Sequence, residues 1–138
     1  MRTRWLAMMV GVGILSAADP ALSHHSFSAE YDAEQRVTLR GTVVRMEWIN
    51  PHSWIHLDVK RPDGQVERWR IETGPPSGLV RRGFTKASVP PGIEIVVAGY
   101  RAKDGTLHAA GQTLTLPDGR ALFAGSPGSG TPGEQAPK

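Results

Sequence analysis

Three tripeptides ending in Asp-Gly, Pro62-Asp63-Gly64, Lys103-Asp104-Gly105 and Pro117-Asp118-Gly119, punctuate the chain and mark places where it reverses. A tight turn of this chemistry reverses a chain between two strands. The stretches on either side carry the matching period-two pattern. Val37 to Ile49 is long, rich in β-branched residues, and holds Gly41 in its middle, where a strand bends or bulges. Ser53 to Lys60 sets Ile55, Leu57 and Val59 on one face, the expected core, and Trp54, His56 and Asp58 on the other. Gln65 to Glu72 follows across the first Pro-Asp-Gly turn as its hairpin partner. Ile93 to Tyr100 turns Ile93, Ile95 and Val97 inward, Thr106 to Leu116 supplies a fifth strand, and Ala121 to Phe123 remains as a short apolar stub.

One segment breaks the alternation. Gly74 to Phe84 opens as a short helix at Pro76 or Ser77, with Leu79, Val80 and Phe84 on a shared face and Gly83 near its end. Five strands, with one helix between the third and fourth, is the order of an OB-fold barrel. The expected fold class is all-β, a small five-stranded OB-fold-like barrel. An open sandwich or an up-and-down barrel with the same strand count is the alternative.

Both ends differ from this body. Residues 1–23 read as a secretory signal peptide: Arg2 and Arg4, an apolar run from Trp5 to Ala18, then Ala21 and Ser23 as the small residues that a signal peptidase requires. The run is too short to span a bilayer. A cut after Ser23 leaves His24 first, a cut after Ala18 competes, and either implies a periplasmic or secreted protein. Residues 24–36 form an N-terminal arm or short helix, residues 37–124 the barrel domain, and residues 125–138 a tail of Gly, Pro and Ser. With no large apolar residue, that tail is expected to be disordered.

Losing the leader removes two basic residues and one acidic one, so the formal charge falls from +3 to +2. The remaining charges are interspersed, which argues against a nucleic-acid partner. With no cysteine the chain has neither disulfides nor thiolate metal sites, although its destination is oxidising. Stability must come from an apolar core, and about 100 residues suffice for one.

Several short stretches, in combination, resemble a known family. They are His24-His25-Ser26-Phe27, Asn50-Pro51-His52-Ser53-Trp54, Gly74-Pro75-Pro76, the "LVRRG" of Leu79 to Gly83, the "GYRAKDG" of Gly99 to Gly105 and the "LPDGR" of Leu116 to Arg120. The family is one of small exported bacterial proteins that carry a domain-of-unknown-function label. The resemblance implies export without an assigned activity, and it transfers no site residue.

Chemistry is therefore argued from the residues. An N-terminal His24 would offer Cu(II) its amine and ring nitrogen together, and a further imidazole, His25 or His52, would complete a planar nitrogen set suited to copper. The competing reading leaves His24 and His25 solvated and His52 bonded to backbone groups in its turn. His56 and His108 read as surface or cross-strand packing residues. A second binding reading comes from the fold, because OB barrels take ligands across strands two and three. There Trp54 and His56, with Arg68 and Arg70 on the next strand, would receive an anionic small molecule, a glycan or a partner protein, without a metal. Against it stands a tryptophan that closes the barrel beside two solvated arginines. Nothing in the chain reads as a nucleophile elbow or a phosphate loop. The expectation is a non-enzymatic exported binding protein, whose partner is a metal ion, a small ligand or a periplasmic protein, with no stable membrane span after signal cleavage.

Overall fold

The computed structural model describes residues 27–126. After a helical turn over 27–30 come β1 (Tyr31–Glu47), β2 (Trp54–Lys60), β3 (Val66–Glu72), α1 (Pro76–Arg81), β4 (Glu94–Ala102), β5 (His108–Thr115) and β6 (Ala121–Phe123). β1 is long enough to serve two neighbours. It pairs antiparallel with β4 from Tyr31 to Thr42 and with β2 from Thr42 to Glu47. Gly41 stands at this handover, where a Cβ would lie 2.5 Å from the Asp58 carbonyl oxygen and 2.9 Å from the Leu57 side chain. Any larger residue would force β2 off β1.

β2 pairs with β3 and β4 with β5, both antiparallel. The ring closes where β3 runs parallel to β5 through Arg70 with His108, Ile71 with Ala109 and Glu72 with Ala110. Around the barrel the order is β1, β2, β3, β5, β4 and back to β1, the closed five-stranded barrel that the alternation predicted.

Inward side chains fill it. Leu39, Val43, Ile55, Leu57, Trp69, Ile71, Ile95, Val97 and Leu114 form one buried cluster. Ile93 and Val59 pack against its edge. The helix between β3 and β4 plugs one end with Leu79, joined by Phe84 from the following turn. Gly83 at φ 92° ends the helix: its N–H donates to the Val80 carbonyl and the Phe84 N–H to the Leu79 carbonyl, which satisfies two orphan acceptors. Val80 departs from the expected helical face. It is 59% exposed, because the turn after the helix brings Phe84 in beside Leu79 and leaves Val80 on the far side.

Three further features differ from the sequence reading. The apolar stub is a true strand, β6, paired with β5 through Thr113 with Phe123 and Thr115 with Ala121. β1 begins at Tyr31, so part of the stretch read as an arm belongs to the barrel wall. Gly125 and Ser126, read as the start of a loose tail, are packed: Arg82 Nη1 donates to the Gly125 carbonyl at 2.7 Å and stacks on Phe123. The leader and the rest of the tail lie outside the described residues.

A second, smaller apolar cluster sits on the outside of the wall. Tyr31, Tyr100, Ala102 and Ala110 are buried there, with Phe27 packed over them. The Phe27 ring lies 5.6 Å from both Tyr31 and Tyr100. The chain that precedes β1 is thereby pressed against β4 and β5.

Candidate functional site

Register sorts the outward side chains of β1, β2, β3 and β5 into cross-strand rows. One row runs Glu47, Trp54, Glu72, Ala110, and the next runs Arg45, His56, Arg70, His108. A third pairs Asp58 with Arg68. These rows hold every candidate residue of the sequence reading except the N-terminal histidines and His52.

His52 joins the first row from the loop before β2. That loop is held by the Ser53 N–H on the Gly74 carbonyl and by the Thr73 N–H and hydroxyl on the Ser53 carbonyl. His52 Nδ1 lies 3.2 Å from Glu72 Oε1 and 3.2 Å from Ser126 Oγ. The other oxygen of the same carboxylate, Oε2, accepts the Tyr31 hydroxyl at 2.6 Å. Burial, then the bond to Glu72 and its charge, raises the Tyr31 phenol far above its ordinary pKa, so it remains a proton donor. Glu72 thus ties three parts of the chain together: the strand that follows the N-terminal segment, the β1–β2 loop and β3. The hydrogen bond of His52 Nδ1 is with Ser126 Oγ, and the Glu72 carboxylate stands beside it; a proton on Nδ1 would leave Nε2 to a metal.

The basic row is divided between satisfied and unsatisfied groups. His56 is only 6% exposed, and its Nε2 lies 3.1 Å from Glu47 Oε1, which Arg45 also binds. Desolvation, followed by the Arg45 charge, pushes its pKa below the usual imidazole value against the opposing pull of Glu47, so it is neutral at pH 7. Arg68 spends its fork on Asp58 in two bonds of 2.7 and 2.9 Å. Arg70, two residues along the same strand, has no carboxylate partner among the described residues. Its guanidinium lies 4.1 Å over the Trp54 ring, and its Nε is buried without a hydrogen-bond acceptor. Trp54 in turn stands 6.3 Å from the His108 ring.

The structure therefore brings Trp54, His56, Arg70 and His108 together and takes Arg68 out of the group. The tryptophan that fills the barrel is Trp69, 4% exposed, while Trp54 stays half-buried outside and Trp48 packs against the core's edge. His24 and His25 lie outside the described residues. Among the described residues no three His, Asp or Glu side chains converge as a metal site. Sequence reasoning missed Tyr31 and the hub role of Glu72. Glu72 shares the outward register of Arg68 and Arg70, a signal available from alternation. The Tyr31 contact, 41 residues away, had none.

Among the described residues no helix is long and apolar enough to cross a membrane. Residues 11–112 match the family of unknown function DUF6152, and the chain belongs to it. No curated protein and no solved structure matches the chain.

Proposed function

We propose that this is an exported, non-enzymatic protein that binds Cu(II), with His24 as the first residue after signal cleavage and with His25 and His52 as further imidazoles. The observation that supports it is the Glu72 carboxylate, which accepts the Tyr31 hydroxyl through one oxygen and lies 3.2 Å from His52 Nδ1 through the other. One acidic group thereby anchors the start of β1 beside an imidazole whose Nδ1 faces Glu72 and Ser126. Phe27 packs on Tyr31, and His24 precedes it by three residues, a reach of about 10 Å of extended chain. An α-amine and two or three imidazole nitrogens suit the tetragonal preference of Cu(II) better than that of Zn(II), and a chain without cysteine favours the oxidised metal over Cu(I).

Binding, storage or delivery of the ion is the activity proposed. The test is intact mass of periplasmic protein, then Cu(II) titration followed by electron paramagnetic resonance. Mature protein beginning at His24 should bind one equivalent with a nitrogen-rich signal. His24→Ala should weaken binding by about a hundredfold and His52→Ala by about tenfold, the scale for lost ligands and their supports. Undiminished one-equivalent binding by His24→Ala would exclude the chelate of amine and imidazole at His24, and so would secreted protein that starts upstream.

A further inference from the structure

The two outward arginines of β3 differ in a way that the copper reading leaves unused. Arg68 is closed off by Asp58, whereas Arg70 keeps its fork. We infer that Arg70, with Trp54, His56 and His108 around it, forms a second site, for the oxyanion group of a small molecule. A planar guanidinium matches carboxylate and phosphate alike.

Five observations converge on it. The row Arg45, His56, Arg70, His108 crosses four adjacent strands on the outer β2–β3 face, where barrels of this topology take ligands. The acids beside the row have partners other than Arg70: Glu47 with Arg45 and His56, Glu72 with Tyr31 and, at 3.2 Å, His52, Asp58 with Arg68, Asp104 with Thr106. Arg70 is pre-set by its stack on Trp54, so little side-chain freedom is lost on binding. Its Nε is buried and lacks an acceptor among the described residues, an unmade hydrogen bond of a costly kind. Past His108 the face opens into a groove of about 490 Å³ between residues 29–31 and the β4–β5 turn at Ala102, Lys103 and Asp104. That space accommodates the body of a small molecule whose charged end reaches Arg70.

Neutral His56 matters here. Its ring sits beside Arg70 without adding a competing charge to desolvate, and its bond to Glu47 keeps that carboxylate away from the fork. His108, at the rim, supplies a ring nitrogen to the same oxyanion.

The inference uses only described residues, so it stands or falls apart from copper. The experiment is a nuclear magnetic resonance titration of metal-free mature protein at constant ionic strength. Inorganic phosphate and benzoate serve as probes, and chloride as control. At least one probe should produce saturating shifts at the Arg70 Nε–H and the Trp54 indole N–H, and comparison of the two assigns the oxyanion as phosphate or carboxylate. Arg70→Lys should weaken that binding by about tenfold, the value of one lost charge-assisted bidentate contact. Arg68→Lys and His24→Ala should leave it unchanged. Should Arg70→Lys lose its fold, judged by spectral dispersion, His108→Asn takes its place, with a loss of about threefold expected for one rim hydrogen bond. Shifts that never saturate, that chloride reproduces, or that both variants leave intact overturn the site.

Discussion

The barrel wall has two outer faces with opposite treatment. At one end of β4 and β5 the outer surface is apolar, and residues 27–30 lie beside it, with Tyr31, Tyr100, Ala102 and Ala110 buried beneath Phe27. Over β2 and β3 the surface carries acids, bases and an indole, and no described segment covers it. Both faces belong to one closed sheet with one shared core. A small barrel thus spends one outer face on holding its own N-terminal segment and keeps the other for polar groups that a partner can address. Glu72 stands on the border, with Tyr31 reaching it from the covered side and His52 from the open one.

The largest expected effect comes from stripping the covered face. Tyr31→Ala removes the centre of the outer cluster and one of the two ties to Glu72. It should cost about 2 to 4 kcal/mol by urea denaturation, as for other buried aromatics cut to alanine. Tyr31→Phe keeps the packing and loses the hydroxyl alone, for about 1 kcal/mol. Equal losses would mean that the carboxylate bond, not the aromatic packing, holds the segment down. A loss below that of Tyr31→Phe would erase the distinction between the faces.

On the open face a smaller effect is expected, and it appears as pH dependence. His56 has its pKa lowered in the folded state, chiefly by desolvation and then by Arg45, with Arg70 adding to it and Glu47 opposing. Above the ordinary imidazole value near 6.5 the ring is neutral whether the chain is folded or not, and its burial costs nothing extra in protonation. As pH falls below that value the unfolded chain takes up a proton that the folded one refuses, so stability declines until the folded pKa is passed. The urea midpoint should fall between pH 7 and 5.5, above the range where carboxylates titrate. In His56→Gln that part of the slope should disappear. A slope that persists would move the buried imidazole off the list of groups that make this face more than a solvated surface.

Much of the fold was legible because its signals are local. The Pro-Asp-Gly turns mark their reversals, Ile55 and Leu57 alternate as a buried strand must, and Gly41 and Gly83 stand where close approach or left-handed torsion demands them. Outward positions were legible only as outward. Alternation assigns His56 and Arg68 the same face, yet it cannot tell that Glu47 and Arg45 close over His56 while Asp58 locks Arg68. Both outcomes depend on register with a partner strand. Likewise Tyr31 reads, with Phe27, as one of two aromatics in a polar stretch, since its partners Tyr100 and Glu72 come from strands far along the chain. Val80 misled because a helical face predicts burial only for a helix longer than this one, whose six residues end before a second turn is complete.

The smallest expected effect is also the sharpest test of what makes Arg70 different from its neighbour. Arg68 depresses the pKa of Asp58 through their two hydrogen bonds, so the pair stabilises the fold above the ordinary carboxylate range. That stability is lost as pH falls through the lowered value. The Arg68 side chain is 55% exposed and that of Asp58 30%, so water reaches the pair, which contributes little, and salt screens what remains. Asp58→Asn should therefore leave the urea midpoint within measurement scatter at pH 7. Its consequence lies elsewhere, because it releases the fork of Arg68 on the same strand and face as Arg70. If an uncommitted guanidinium is all that an oxyanion requires, phosphate titration of Asp58→Asn should reveal a second saturating set of shifts at Arg68. We expect none, because Arg68 has no indole beneath it and no imidazole beside it, and a fork that solvent can rotate freely loses on ordering what it gains on contact. A second site in that variant would place the selectivity of this face in charge pairing alone rather than in the platform that Trp54 gives to Arg70.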